Sequence, residues 1–184
     1  MIDFDHQLWR ARAWARFKRC VRKDASRKNK ASAEHQWYRD VQHIDKMCAV
    51  IDWCSSKGIA VQFGKKSGGM YDAVDKTITI VGRAAPEKQL YMLLHECGHH
   101  LIGFDKADER FGMGYPYVGD PQINTTFHHR VACLEEEMEA WQRGWRLSKR
   151  LYLNLEREQF DKVRLDCLRS YIKWVNGRSL MGTN

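Results

Sequence analysis

Residues 90–104 read LYMLLHECGHHLIGF. Apolar residues flank three polar ones, His95, Glu96 and His99, which spell H-E-x-x-H. On a helix, residues four apart lie one turn apart on the same face. His95 and His99 then aim both imidazoles at one ion, and Glu96, one step round, reaches a water on that ion. Imidazole nitrogen is a favoured zinc ligand, and a catalytic zinc takes three protein ligands plus water. Bound zinc lowers the pKa of that water towards neutrality, and the glutamate serves as general base. The plain alternative is a core helix with satisfied histidines, because short motifs recur by chance. Context weighs against it: a glutamate buried between two histidines on so apolar a helix is costly without a metal. Gly98 also keeps one side of the helix slim, admitting a substrate or a second helix.

The third ligand is sought in HHRVACLEEEMEAWQRGWRL, residues 128–147. Stepping at 100° per residue places Val131, Leu134, Met138, Trp141 and Trp145 on one bulky apolar stripe. Cys133, Ala140, Gly144, Leu147 and Leu151 form a second stripe whose first members are small. Glu137 lies beside this second stripe, where another helix can approach closely enough for a carboxylate to reach the ion. Glu135 and Glu139 fall together with Gln142 and Arg146, a face expected to be solvated. Glu136 is borderline. The expected third ligand is Glu137, with Glu136 in reserve.

A strand, an H-E-x-x-H helix, a long loop and a helix bearing E-x-x-A, in that order, resemble the gluzincin metallopeptidases. Among these the chain looks most like the compact ImmA/IrrE-like group found in phage and mobile elements. That group carries a pattern near E-x-x-A-(N/D)-x-x-(A/G), which here reads Glu137-Met138-Glu139-Ala140-Trp141-Gln142-Arg143-Gly144. The resemblance covers residues 34 to 150. It implies zinc held by His95, His99 and Glu137, with Glu96 activating a water to hydrolyse peptide bonds of an intracellular protein substrate. Two departures stand out. Trp141 occupies the place where the family often has Asn or Asp to orient a ligating histidine, so that role falls to Asp105 or a backbone carbonyl. The interval from His99 to Glu137 is also long for the family. Tyr115, Tyr117, His128 and His129 are the candidates for stabilising an oxyanion. His100 is expected to point elsewhere and not to ligate.

The rest of the chain fits an α+β fold, a mostly helical zincin-like domain with a small antiparallel sheet before the H-E-x-x-H helix. Helical spacing covers 6–23, and the polar run 22–32 reads as a linker. A second helix runs from Ser32 to about Ser56, with Trp37, Val41, Ile44, Cys48 and Ile51 as its apolar stripe, and Gly58 stops it. Alternation predicts strands over 59–63 and 77–81 and a third near 70–74, arranged as a meander. Pro86 and Glu87 open the motif helix and Gly103 closes it. A long loop over 104–129, helices over 130–151 and 155–175, and no internal repeats complete the reading.

At 184 residues the chain can bury its own core. Residues 1–31 are expected to form a basic N-terminal helix and linker, and 32–184 the metallopeptidase domain. Residues 1–30 hold ten Lys or Arg against three Asp, so seven of the net +8 charges reside there and the remainder is close to balance. Interleaved with Trp9, Trp14 and Phe17, that charge suits nucleic acid or an acidic partner. The rival reading follows: a nucleic-acid- or protein-binding module on a zincin scaffold, its metal structural or vestigial. Six scattered cysteines without a C-x-x-C pair argue for reduced thiols. With no apolar signal core and no membrane-spanning run, a cytoplasmic location is expected.

Overall fold

The structure, a computed structural model, describes residues 11, 15, 27–64, 69–103 and 126–176. Four helices and three short strands follow one another: α1 (Arg27–Ser56), β1 (Ala60–Gly64), β2 (Met70–Asp72), β3 (Thr77–Val81), α2 (Pro86–Ile102), α3 (Phe127–Arg150) and α4 (Arg157–Val175). The fold is α+β and mostly helical, as the sequence predicts. No helix among the described residues is long and apolar enough to cross a membrane. Of the helix expected over 6–23, only Ala11 and Ala15 are described, both helical and exposed; the rest lies outside the described residues. Those outside also include 104–125, and with them Asp105, Tyr115 and Tyr117.

Two expectations need correction. The polar run read as a linker to residue 32 is already helix from Arg27, so the boundary drawn at 31/32 falls inside α1. Its Arg, Lys and Ala residues are strong helix formers, and polarity alone does not unmake a helix. The sheet is not an antiparallel meander: its order is β1-β3-β2, and β1 runs parallel to β3 with Ala60 opposite Thr77 and Gly64 opposite Val81. Period-two alternation shows that a strand has two faces; it names neither the strand's partner nor its direction.

The chain forms two compact units, residues 1–70 with 76–93 and residues 71–75 with 94–184. In the first, α1 buries Asp40, Ile44, Met47, Val50 and Cys54, spaced three and four apart. This stripe is rotated from the expected one: Ile44 belongs to both, while Trp37, Val41, Cys48 and Ile51 flank it half-buried. Gly58, at φ +71°, ends the helix. Its N–H meets the Ser55 carbonyl and that of Ile59 meets Cys54, the Schellman closure that glycine permits. Ile59 just before β1, Ile78 and Ile80 of β3, and Gln89, Leu90, Tyr91 and Leu93 of α2 are also buried. Gln89 donates to the Val81 carbonyl at 2.9 Å, tying the start of α2 to the end of β3.

In the second unit α3 and α4 form an antiparallel hairpin. Arg130, at the start of α3, donates to the Trp174 carbonyl at the end of α4, while Trp145 and Phe160 meet near the turn. The small-residue stripe of α3 is buried, with Cys133, Ala140, Gly144 and Leu147 all inside. Of the bulky stripe only Trp141 is fully buried; Met138 is exposed. Small residues pack inside here because backbone meets backbone. A Cβ on Gly98 would overlap the Ala140 carbonyl oxygen and lie 2.6 Å from its carbon. One on Gly144 would lie 2.8 Å from the Leu94 carbonyl carbon. The glycines thus set how near α3 stands to the motif turn of α2.

Candidate metal centre

The motif turn of α2 faces the middle of α3 within the second unit. His95 and His99 are one helical turn apart, and their Nε2 atoms are separated by 3.3 Å. Glu137 brings Oε2 to 3.2 Å from His95 Nε2 and Oε1 to 3.5 Å from His99 Nε2. These three residues form a group able to hold a metal ion. His95 and Glu137 are buried, and the His99 side chain keeps slightly more exposure.

The separations bear on what such a group suits. Bonds of about 2.0–2.2 Å at tetrahedral angles set ligand atoms about 3.3–3.6 Å apart. Charge-assisted N–H···O bonds are instead about 2.7–2.9 Å long. The separations involve four atoms, since Glu137 turns Oε2 to His95 and Oε1 to His99; at 3.2–3.5 Å they lie nearer the first range than the second. Two imidazole Nε2 atoms facing each other also need a proton or a cation between them. The donor set of two imidazoles and a carboxylate suits zinc.

Around the three ligand candidates stand groups that orient them. Glu136, the reserve ligand, lies instead behind His99, with Oε1 3.3 Å from His99 Nδ1. That contact directs the proton of a neutral His99 to Nδ1 and leaves the Nε2 lone pair facing the centre. Glu136, which the sequence placed among the ligand candidates, thus stands in an orienting position behind His99; Asp105 lies outside the described residues. Trp141 stacks on His95 with ring centroids 4.4 Å apart and an interplanar angle of 22°. His95 Nδ1 is buried without a hydrogen-bond partner, so packing against Trp141 fixes this ring. Tyr171 of α4 donates its hydroxyl to Glu137 Oε1 at 2.9 Å.

Burial and charge act strongly here. Burial by itself would lower the pKa of His99, but hydrogen bonds to Glu136 and Glu137 outweigh it and push the imidazole up to about 10. Burial would raise that of Glu137, yet its bonds to His95 and His99 hold the carboxyl well below the usual range. Glu96 is buried too, and loss of solvent raises its pKa despite the neighbouring His95 and His99. A carboxylate whose pKa is raised by burial is suited to proton transfer.

Other candidates are placed elsewhere. His100 does not join the ligand group; its Nδ1 meets the Tyr71 hydroxyl at 2.9 Å. His128 is exposed at the start of α3. His129 is buried against Cys133 Sγ at 3.3 Å and the Trp174 ring, while its backbone N–H is capped by Thr126. Glu139 departs from expectation: it is buried and paired with Arg143 at 2.8 Å, and Arg143 also reaches the Leu101 carbonyl. Glu135, Gln142 and Arg146 are exposed as expected. Nothing in the sequence points to Tyr171, because a tyrosine on a helix 34 residues from its partner leaves no local signal. Compared with known protein families, curated proteins and solved structures, the chain matches none.

Proposed function

We propose that this chain is a zinc-dependent peptidase in which His95, His99 and Glu137 hold the metal and Glu96 is the general base. The observation that carries the reading is the convergence of His95, His99 and Glu137, whose ligand atoms all lie within 4.8 Å of one another, one helical step from a buried carboxylate. The resemblance of H-E-x-x-H plus a downstream E-x-x-A helix to gluzincins supports it. When bound, zinc supplies a Lewis acid that acidifies water and polarises a carbonyl.

The protein's own groups do the rest. Glu137 contributes the negative charge that, with His99 giving up its strongly held proton on loading so that both imidazoles are neutral, would leave the loaded centre net positive and electrophilic. Glu136 holds the tautomer of His99, and Trp141 keeps the His95 ring from turning. Glu96 takes a proton from the attacking water and returns it to the departing amine nitrogen. The substrate proposed is a protein or peptide. The basic residues 1–30 would recruit it, or nucleic acid beside it.

Elemental analysis of the purified parent, His95→Ala and Glu137→Ala tests the reading. One zinc per chain, lost in the first variant and weakened in the second, is expected. Glu96→Gln should keep the metal while losing about 10²–10⁴-fold in peptide cleavage. A parent that takes up no zinc on reconstitution would refute the centre; a metal-loaded Glu96→Gln that cleaves at the parental rate would refute the mechanism.

A further inference from the structure

Tyr171 stands outside the span of the family resemblance, on the last helix, yet it makes a shorter contact with Glu137 than either imidazole. Its hydroxyl lies 2.9 Å from Oε1, against 3.2 and 3.5 Å for the two imidazoles. Being half-buried, it could satisfy its hydroxyl with solvent at little cost, so the aim at a buried carboxylate is not forced by burial. Its backbone is anchored. One turn further along α4, the Trp174 carbonyl accepts from Arg130 at 3.2 Å and the Arg130 guanidinium lies 5.9 Å over the Trp174 ring.

We infer that Tyr171 is the positioning residue of the centre: by donating to Oε1 of Glu137, the oxygen nearer His99, it holds the carboxylate so that Oε2, the oxygen nearer His95, would be the one offered to a metal. The inference rests on the zinc reading proposed for the centre. A carboxylate free to turn can offer a cation both oxygens, which raises the coordination number and takes up room that water or substrate needs. A phenol donor on one oxygen opposes that by drawing its electron density and holding the plane of the carboxylate. α4 thereby becomes part of the centre, although it contributes no ligand. Partners of this kind are worth about 10–100-fold in metal affinity.

The experiment uses the full chain with cobalt(II) alone as the probe, comparing the parent, Tyr171→Phe and His95→Ala. The parent is expected to show the strong visible absorption of a four-coordinate cobalt site, absent in His95→Ala. Tyr171→Phe should bind cobalt about tenfold more weakly and absorb more faintly, as coordination rises. Metal-free Tyr171→Phe should melt slightly below the parent, because the ring remains and one hydrogen bond to Glu137 is lost, and the deficit should be larger with cobalt bound. Three results would overturn the inference. An unchanged spectrum and affinity in Tyr171→Phe would leave the metal centre standing and remove Tyr171 from it. Equal destabilisation of Tyr171→Phe with and without cobalt would mark a purely structural contact. No His95-dependent absorption in the parent would refute the metal reading itself, and the positioning role with it.

Discussion

Replacing Gly98 by alanine tests whether backbone contact between α2 and α3 sets the centre's geometry. The new Cβ would overlap the Ala140 carbonyl oxygen and lie 2.6 Å from its carbonyl carbon and 2.9 Å from its Cα. All three are backbone atoms, so no rotamer change relieves the clash. Carbon atoms pack at about 3.5–4.0 Å, so the two backbones must part by about 1 Å. Glu137 sits one turn before Ala140 on α3, and His95 one turn before Gly98 on α2. The 3.2 Å edge between His95 and Glu137 would then widen by a similar amount. Two ligands with bonds of about 2.1 Å can be no more than about 4.2 Å apart, and then only in a straight line through the ion. Tetrahedral binding by all three residues is lost. Overpacking costs about 1–3 kcal/mol, offset in part by the roughly 1 kcal/mol that alanine gains over glycine in a helix. The expected outcome is at least tenfold weaker zinc binding by calorimetric titration, with a melting temperature lowered by several degrees. Gln142→Ala, at an exposed position of α3, is the control and should change neither. Parental zinc affinity in Gly98→Ala, with unchanged or raised thermal stability, would refute the reasoning.

Three further outcomes are expected. Glu136→Gln should weaken zinc binding about 10–100-fold, as removal of a carboxylate behind a ligating histidine does; equilibrium dialysis that finds parental affinity would dismiss its orienting role. Trp141→Ala removes a fully buried ring and should cost about 3–5 kcal/mol in denaturant unfolding, whereas Trp141→Phe should retain one zinc because an aromatic face still covers His95. Burial, and after it the charges of Glu136 and Glu137, push the Cys133 thiol up to about 12. The sign follows: the thiolate is scarce at every pH below that value, so in the folded metal-free protein Cys133 should resist alkylation at pH 8 and react on unfolding. Peptide mapping that finds it modified as fast in the folded state as in the unfolded would contradict this.

Much of the candidate centre is legible in the sequence because it is local. His95, Glu96 and His99 share one turn of one helix, and helical geometry alone converges the two imidazoles. Glu137 is reachable from periodicity because a carboxylate beside Cys133, Ala140 and Gly144 can only serve a closely packed neighbour. Glu136 and Glu139 are harder. Their roles depend on the rotation of α3 about its axis by a fraction of a residue step, which pattern arithmetic does not resolve. Glu136 turns to the back of His99, and Glu139 turns inward onto Arg143 rather than to solvent. The stripe of α1 shows the same limit, displaced by about one residue from the one its bulky side chains suggest.

By itself the sequence determined the α+β class, the order of the described helices and strands, the glycine that closes α1 at Gly58 and that of α2 at Gly103, and the three residues of the motif turn. These follow from propensities, caps and periods that act over a few residues. The tertiary structure alone decided that β1 pairs in parallel with β3, that Trp141 covers His95, and that Tyr171 reaches Glu137 across 34 residues. Each of these is a meeting of segments distant in the chain. Such meetings are selected by which faces can be buried together and which backbones can touch, and no local pattern carries that information.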